Sequence, residues 1–323
     1  MKTSAFMALE WREHDGNPII EPPFPSPIIA DPSFLTPAES PDGAWHLFAH
    51  SPMGIHHYVS ADGRAFTRLP GLVCTSAMRP FILRDGGKYY LYYERTRKHI
   101  LWFSWLPLRW KSHIECRIST DLLTWSEPVV VLRPSLTWHR DAKYGQSVSN
   151  PCVVRHEKRY LLYYSASLVY IPDCGFNEPL HIGVAEGESP TGPFVPRPEP
   201  LISPSPHNPW CNLGAGAFKA VKLDDGFAGF ENGIYWNDAM GHSGSAILVF
   251  SSKDGFKWKQ AAAKPLVRPE GTGWKRSHVY ALDARPLDET TWHLYYNARS
   301  DWHWTRGRER IGLVLGSSPR GKS

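Results

Sequence analysis

Three carboxylates in this chain of 323 residues sit where acid–base chemistry would need them: Asp31 in ADPSFL (30–35), Glu94 at the end of KYYLYYE (88–94) and Glu231 in FAGFENGIYWN (227–237). Two carboxyl groups facing each other across a pocket can divide the work, one donating a proton to a leaving oxygen and the other activating water or attacking carbon. Asp31, Glu94 and Glu231 are the candidates for these two roles. Arg79, Asn150, His278, His50, Ser165, Asn297 and Trp236 read as binding residues. Neither Arg79 nor Asn150 can donate a proton at neutral pH, so hydroxyl binding suits them. Several of these residues also have a structural alternative. An aspartate before Pro32 suits a turn, Glu94 can pair with Arg79 or Arg95, Glu231 stands beside the turn dipeptide Asn232-Gly233, and His278 can be a core histidine.

Residues so far apart in the chain share one site only if repeated elements gather them. A short apolar strand, a turn and an aromatic strand recur five times: ADPSFL with WHLFAHS, MRPFIL with KYYLYYE, SNPCVV with RYLLYYS, GAFKAVKL with FAGFENGIYWN, and HVYALDARPLDETTWHLYYN. Four copies continue into a third strand, a polar turn and a fourth strand, and four antiparallel strands make a propeller blade. The expected fold class is therefore all-β, a five-bladed β-propeller with four antiparallel strands per blade, filling residues 1–323 as a single domain. The last copy stops after ERIGLVLG, so the N-terminal segment ending near Asn17-Pro18 is expected to supply its missing strand and close the ring. Closure leaves no open sheet edge. Insertions at 95–112 and 166–179 should rim the central funnel, with Trp102, Trp105 and Trp110 available to line its entrance.

In an antiparallel blade the start of the first strand and the end of the second lie at the same end. Asp31, Arg79, Asn150 and His278 come from first strands, and His50, Glu94, Ser165 and Asn297 from second strands, so the topology would gather them on one face. Burying such a set unpaired would cost on the order of a few kcal/mol per group, so mutual hydrogen bonds, water or a ligand must satisfy it. The pairing of GNPII (16–20) with ADPSFL, and the repeated aromatic strand before Ser or Glu, resemble glycoside hydrolase family 43 and its five-bladed relatives in families 32, 62 and 117. That resemblance implies an inverting glycosidase with Asp31 as general base and His278 orienting a central water or a cation such as Ca2+. Two departures stand out. The family's third-blade aspartate is Asn150 here, and the general-acid glutamate expected near Gly214 to Ala217 is absent from NLGAGAF.

Composition narrows the remaining classes. With 42% hydrophobic and 21% charged residues the chain is globular with a sizeable core. The net charge of +5 is scattered rather than gathered in a stripe, so nucleic acid is not an expected partner. No apolar run reaches the length of a membrane span, and MKTSAFMALEWREHDG lacks the apolar centre of a secretory signal, so a cytoplasmic protein without a membrane partner is expected. Five scattered cysteines with no C-x-x-C pair read as free thiols. The chemistry requires no cofactor, and the expected partner is a small carbohydrate; oligomeric state is not legible. Two further readings stay open: a propeller that binds a sugar without cleaving it, and a glycosyl-transferring or phosphorolytic enzyme in which Arg79, Lys219 or His278 holds an anion.

Overall fold

Nearly every strand of the chain belongs to one of five antiparallel meanders. The computed structural model describes residues 1–96 and 109–319; Trp102 and Trp105 lie outside the described residues. The first meander runs through Ala30–Leu35, Trp45–Ser51, Gly54–Ser60 and Thr67–Arg68, and the second through Ala77–Asp85, Lys88–Thr96, Trp110–Ser119 and Val129–Leu132. The third comprises Val148–His156, Arg159–Ala166, His181–Gly187 and Val195–Pro196; the fourth comprises Gly214–Lys222, Phe227–Asn237, His242–Ser252 and Lys259–Gln260. The fifth has His278–Pro286, Thr291–Arg299 and Glu309–Ser317, and its fourth strand, Glu10–Glu13, comes from the other end of the chain. Among the described residues helix is limited to Thr3–Met7 and two short 3-10 turns, and no helix is long and apolar enough to cross a membrane.

The second strands explain how the meanders stack. A sheet with one wet face alternates apolar and polar residues, whereas one covered on both faces reads as a continuous buried run. Tyr89 to Glu94, Tyr160 to Ala166 and Trp292 to Arg299 are such runs. The first strand of each meander packs beside that of the next, and that of the fifth beside that of the first. Tyrosine hydroxyls tie neighbours together. Tyr92 donates to the carbonyl of Pro190 in the third meander, Tyr163 to Gly255 in the fourth at 2.8 Å, and Tyr295 to Gly63 in the first at 2.6 Å. Phe48 occupies the corresponding place in the first meander, and its ring meets Trp125 of the second edge-on at 5.9 Å.

Three of the four turns that receive these contacts share a local design. Ser60, Ser119 and Ser252 each donate through Oγ to the aspartate two residues on, and Oδ1 of Asp62, Asp121 and Asp254 collects the next two free backbone N–H groups. Such Asx turns satisfy the backbone without a sheet partner. All five cysteines are buried and free.

Candidate active site

In all five meanders the pairing between first and second strands slips at one place: between Ala30 and Ser33, Met78 and Phe81, Ser149 and Cys152, Ala215 and Ala217, and Val279 and Leu282. Residues in such a bulge leave the ladder and their side chains are re-aimed. In the first three meanders the bulge is Asp31-Pro32, Arg79-Pro80 and Asn150-Pro151, and proline, with no N–H to give, is tolerated in a strand at just such an interruption. Asp31, Arg79 and Asn150 have φ of 51°, 55° and 48°. A non-glycine residue takes that left-handed conformation only where its surroundings hold it there.

The bulges open onto one pocket whose space between atoms, open water at its mouth included, is about 710 Å³. Asp31, Arg79, Asn150, His50 and Asn297 line it, together with Glu178, Asn232, Tyr280, Arg299, Trp304 and Glu309. Glu178, Phe176 and Pro179 come from the 166–179 insertion, where a hairpin pairs Val169–Ile171 with Phe176–Glu178. Half of the residues nominated from sequence therefore meet here and half do not.

The others are placed by strand geometry. Glu94 is fully buried, ion-paired to Arg79 Nη1, and accepts a hydrogen bond from Trp110 Nε1 at 3.0 Å; it orients Arg79 instead of facing the pocket. Glu231 is one residue out of phase. Side chains alternate along a strand, and the match of FEN (230–232) to YYE (92–94) puts Asn232, not Glu231, at the pocket. Glu231 faces Cys211, whose thiol donates to Oε1 at 3.2 Å, and Oε2 has no partner; burial raises its pKa to about 7. In the fifth meander the bulge falls at Tyr280 and Ala281, so His278 sits below the pocket, stacked on Tyr280 at 5.2 Å with Nε2 3.2 Å from Ser243 Oγ. Ser165 is buried, donating to the Gly216 carbonyl at 2.7 Å. Trp236 is half-buried and outside the pocket, its backbone bonded to the Asn212 side chain. Trp110 is buried under Glu94.

These polar groups satisfy one another from meander to meander. His50 Nδ1 accepts the backbone N–H of Arg79 at 3.3 Å, Asn232 donates to the Val279 carbonyl at 2.7 Å, and Asn297 Oδ1 accepts the N–H of Asp31 at 3.0 Å. Asn150 adds a second bond to the Gly216 carbonyl at 2.8 Å. Lys219 is buried off the pocket, donating to the Pro151 carbonyl at 2.7 Å.

The pocket's carboxylates differ in what holds them. Glu309 pairs with Arg299 and accepts from Asn297 at 3.0 Å. Asp31 lies 3.2 Å from His50 Nδ1; burial, helped by Arg79, lowers the His50 pKa to about 4, so that partner is neutral. Burial pushes the Asp31 carboxyl up, Arg79 and Lys219 pull it back, and it settles at about 6. Burial likewise raises Glu178 above the usual range, against the pull of Arg79 and Arg299. Among the described residues Glu178 has no ion-pair partner. A central cation would need converging donors, yet among the described residues no three His, Cys, Asp or Glu side chains converge in that way, and His278 is held by Ser243.

Glu178, Asn232 and Glu309 escaped sequence reasoning. The match of second strands by their aromatic pair carries enough signal to find Asn232. Glu178 lies in an insertion outside the repeat, where no periodic signal reaches.

Residues 73–217 match the sequence model described as Glycosyl hydrolases family 43. No curated protein sequence matches the chain closely enough to mark a relative. Solved structures share the fold over almost its whole length. A glycoside hydrolase described as putative from Parabacteroides distasonis is 14% identical, with TM-score 0.66 and 99% of each chain covered. An α-L-arabinofuranosidase from Podospora anserina is 15% identical, with TM-score 0.65, covering 97% of this chain and 98% of its own. An N-acetylgalactosamine deacetylase from F. plautii is 13% identical, with TM-score 0.63 and 96% of each chain covered. At these identities the likeness is one of fold. The match over 73–217 spans less than half of the chain, so the likeness is in that stretch to family 43 glycosyl hydrolases, and in fold to the glycosidases above.

Proposed function

We propose that this chain is a glycoside hydrolase that removes a terminal sugar from a small glycoside with inversion, Asp31 acting as general base and Glu178 as general acid. The observation that carries the reading is that Asp31 and Glu178 line one pocket with neither ion-paired to a guanidinium among the described residues, whereas Glu309 is committed to Arg299. The raised pKa values suit the two tasks. A carboxyl near 6 is mostly ionised at neutral pH yet remains basic enough to take a proton from water, and a glutamate raised by burial holds its proton to higher pH than a free one, which suits donation to the glycosidic oxygen. Glu178 thus takes the part for which NLGAGAF offers no carboxylate, reaching the pocket from a hairpin instead of a first strand. The five meanders read as blades of one ring, which the packing of first strands, fifth against first included, supports. Hydrolysis is favoured over phosphorolysis because Arg79, Arg299 and Lys219 are each already bonded to protein.

The test uses aryl glycosides of pentoses and hexoses with good and poor leaving groups. Glu178→Gln should lose about 10²–10⁴-fold on poor leaving groups and far less on good ones, because only the former need a proton. Asp31→Asn should lose activity on both, and proton NMR should show the inverted anomer first. Equal losses on both leaving-group classes for Glu178→Gln would remove it from the acid role.

A further inference from the structure

We infer that Asn297 is a positioning residue that fixes the backbone of Asp31 in the left-handed conformation aiming its carboxylate into the pocket. The inference rests on reading Asp31 as the base. Although Asn297 borders the pocket, both ends of its amide are committed to protein: Oδ1 accepts the Asp31 N–H at 3.0 Å and Nδ2 donates to Glu309 Oε2 at 3.0 Å. Glu309 is in turn fixed by Arg299, whose Nε donates to Oε1 at 2.8 Å. A rotated amide would set Oδ1 against a carboxylate and the NH₂ group against an N–H, so Glu309 decides which end meets Asp31.

Asp31 needs such a hold. Its φ of 51° is disfavoured for a side-chain-bearing residue, and Pro32 has no N–H, so the Asp31 amide is the last donor before the ladder resumes at Ser33. The charged and titratable groups around its carboxylate, namely His50, Arg79 and Glu178 in the pocket with Glu94 and Lys219 behind, leave that N–H to Asn297. The next junction repeats the device, His50 Nδ1 accepting the N–H of the bulged Arg79. In each case a polar side chain ending one meander's second strand pins the bulge of the following meander.

The test compares crystal structures and steady-state kinetics of the wild type, Asn297→Ala, the double variant Asn297→Asp/Glu309→Gln, and Asp31→Asn, using an aryl glycoside the wild type turns over. In Asn297→Ala we expect Asp31 to leave the positive-φ region, and kcat to fall about 10- to 100-fold with KM changed less than about threefold, as for a slightly misplaced catalytic group. The double variant swaps donor and acceptor between positions 297 and 309 while keeping an oxygen on the Asp31 N–H, and should recover most of kcat. An unchanged Asp31 backbone in the Asn297→Ala crystal, or a raised KM with kcat intact, overturns the inference and returns Asn297 to ligand binding. Wild-type kcat in Asp31→Asn would sink the base reading alone, leaving the crystal structures to decide the positioning.

Discussion

Arg79 is shared between two carboxylates with different tasks. Its ion pair with Glu94 holds it in place, and its charge beside Asp31 offsets the burial that pushes that carboxyl upward. Arg79→Met should therefore raise the Asp31 pKa above 6, by about one unit or more. Activity requires the ionised form, so the acidic limb of kcat/KM should move to higher pH: rate is lost at pH 6–7 and retained well above the new value. Because Arg79→Met strands a buried Glu94, which costs roughly 3–5 kcal/mol for a buried pair broken on one side, the double variant Arg79→Met/Glu94→Gln is the cleaner probe. A limb that stays put in that variant shows that Arg79 does not tune Asp31. At this scale Asp31, Arg79 and Asn150 are legible because each stands at the same place in a repeated first strand; that the proline after each marks an interrupted ladder emerges only from the pairing of the strands. Glu231 misled because a strand's period of two makes a one-residue error in alignment a reversal of face.

Elements carry the repeat, and their turns show what it costs to vary it. Gly63 and Gly255 hold φ of 70° and 76° at matching places, and in the second meander Leu122 holds 64°. The leucine is tolerated because its side chain is fully buried in the cluster around Phe48, Leu91 and Tyr93. Gly63 has no such room: a Cβ there would lie 2.8 Å from Trp45 and 2.9 Å from the Tyr295 hydroxyl, which also bonds its carbonyl. Gly63→Ala should thus destabilise by about 1–3 kcal/mol, from left-handed strain and the displaced tyrosine together, read as a lower denaturation midpoint in urea. An unchanged midpoint would mean that the junction between fifth and first meanders is loose. The strands themselves are legible from the recurring aromatic run and the polar turn that follows the third strand. The hairpin that delivers Glu178 was legible only as an insertion near the rim, because its three-residue strands are too short to carry a period.

At the scale of the molecule, the N-terminal segment clasps the last two meanders. Glu10–Glu13 pairs with Glu309–Ser317 in register from Glu10 opposite Ser317 to Glu13 opposite Val314. Phe6, 1% exposed, packs against Phe230 of the fourth meander and Trp292 of the fifth. Glu13 binds Lys275 and accepts from the Tyr296 hydroxyl at 3.0 Å, and the terminal amine lies 3.1 Å from Asp224. Removing residues 1–13 would bare the edge of Glu309–Ser317, the strand whose first residue fixes Asn297 and Arg299. An unpaired edge invites pairing with another chain, and loss of Phe6 alone is a cavity worth about 3–5 kcal/mol. The truncated chain should therefore melt at lower temperature, associate during size-exclusion chromatography and lose activity in step with both. Phe6→Ala separates the contributions, since it opens the cavity but keeps the edge strand: it should lower the melting temperature without promoting association. A truncated chain that keeps the full chain's elution volume and melting temperature would show that the fifth meander stands on three strands.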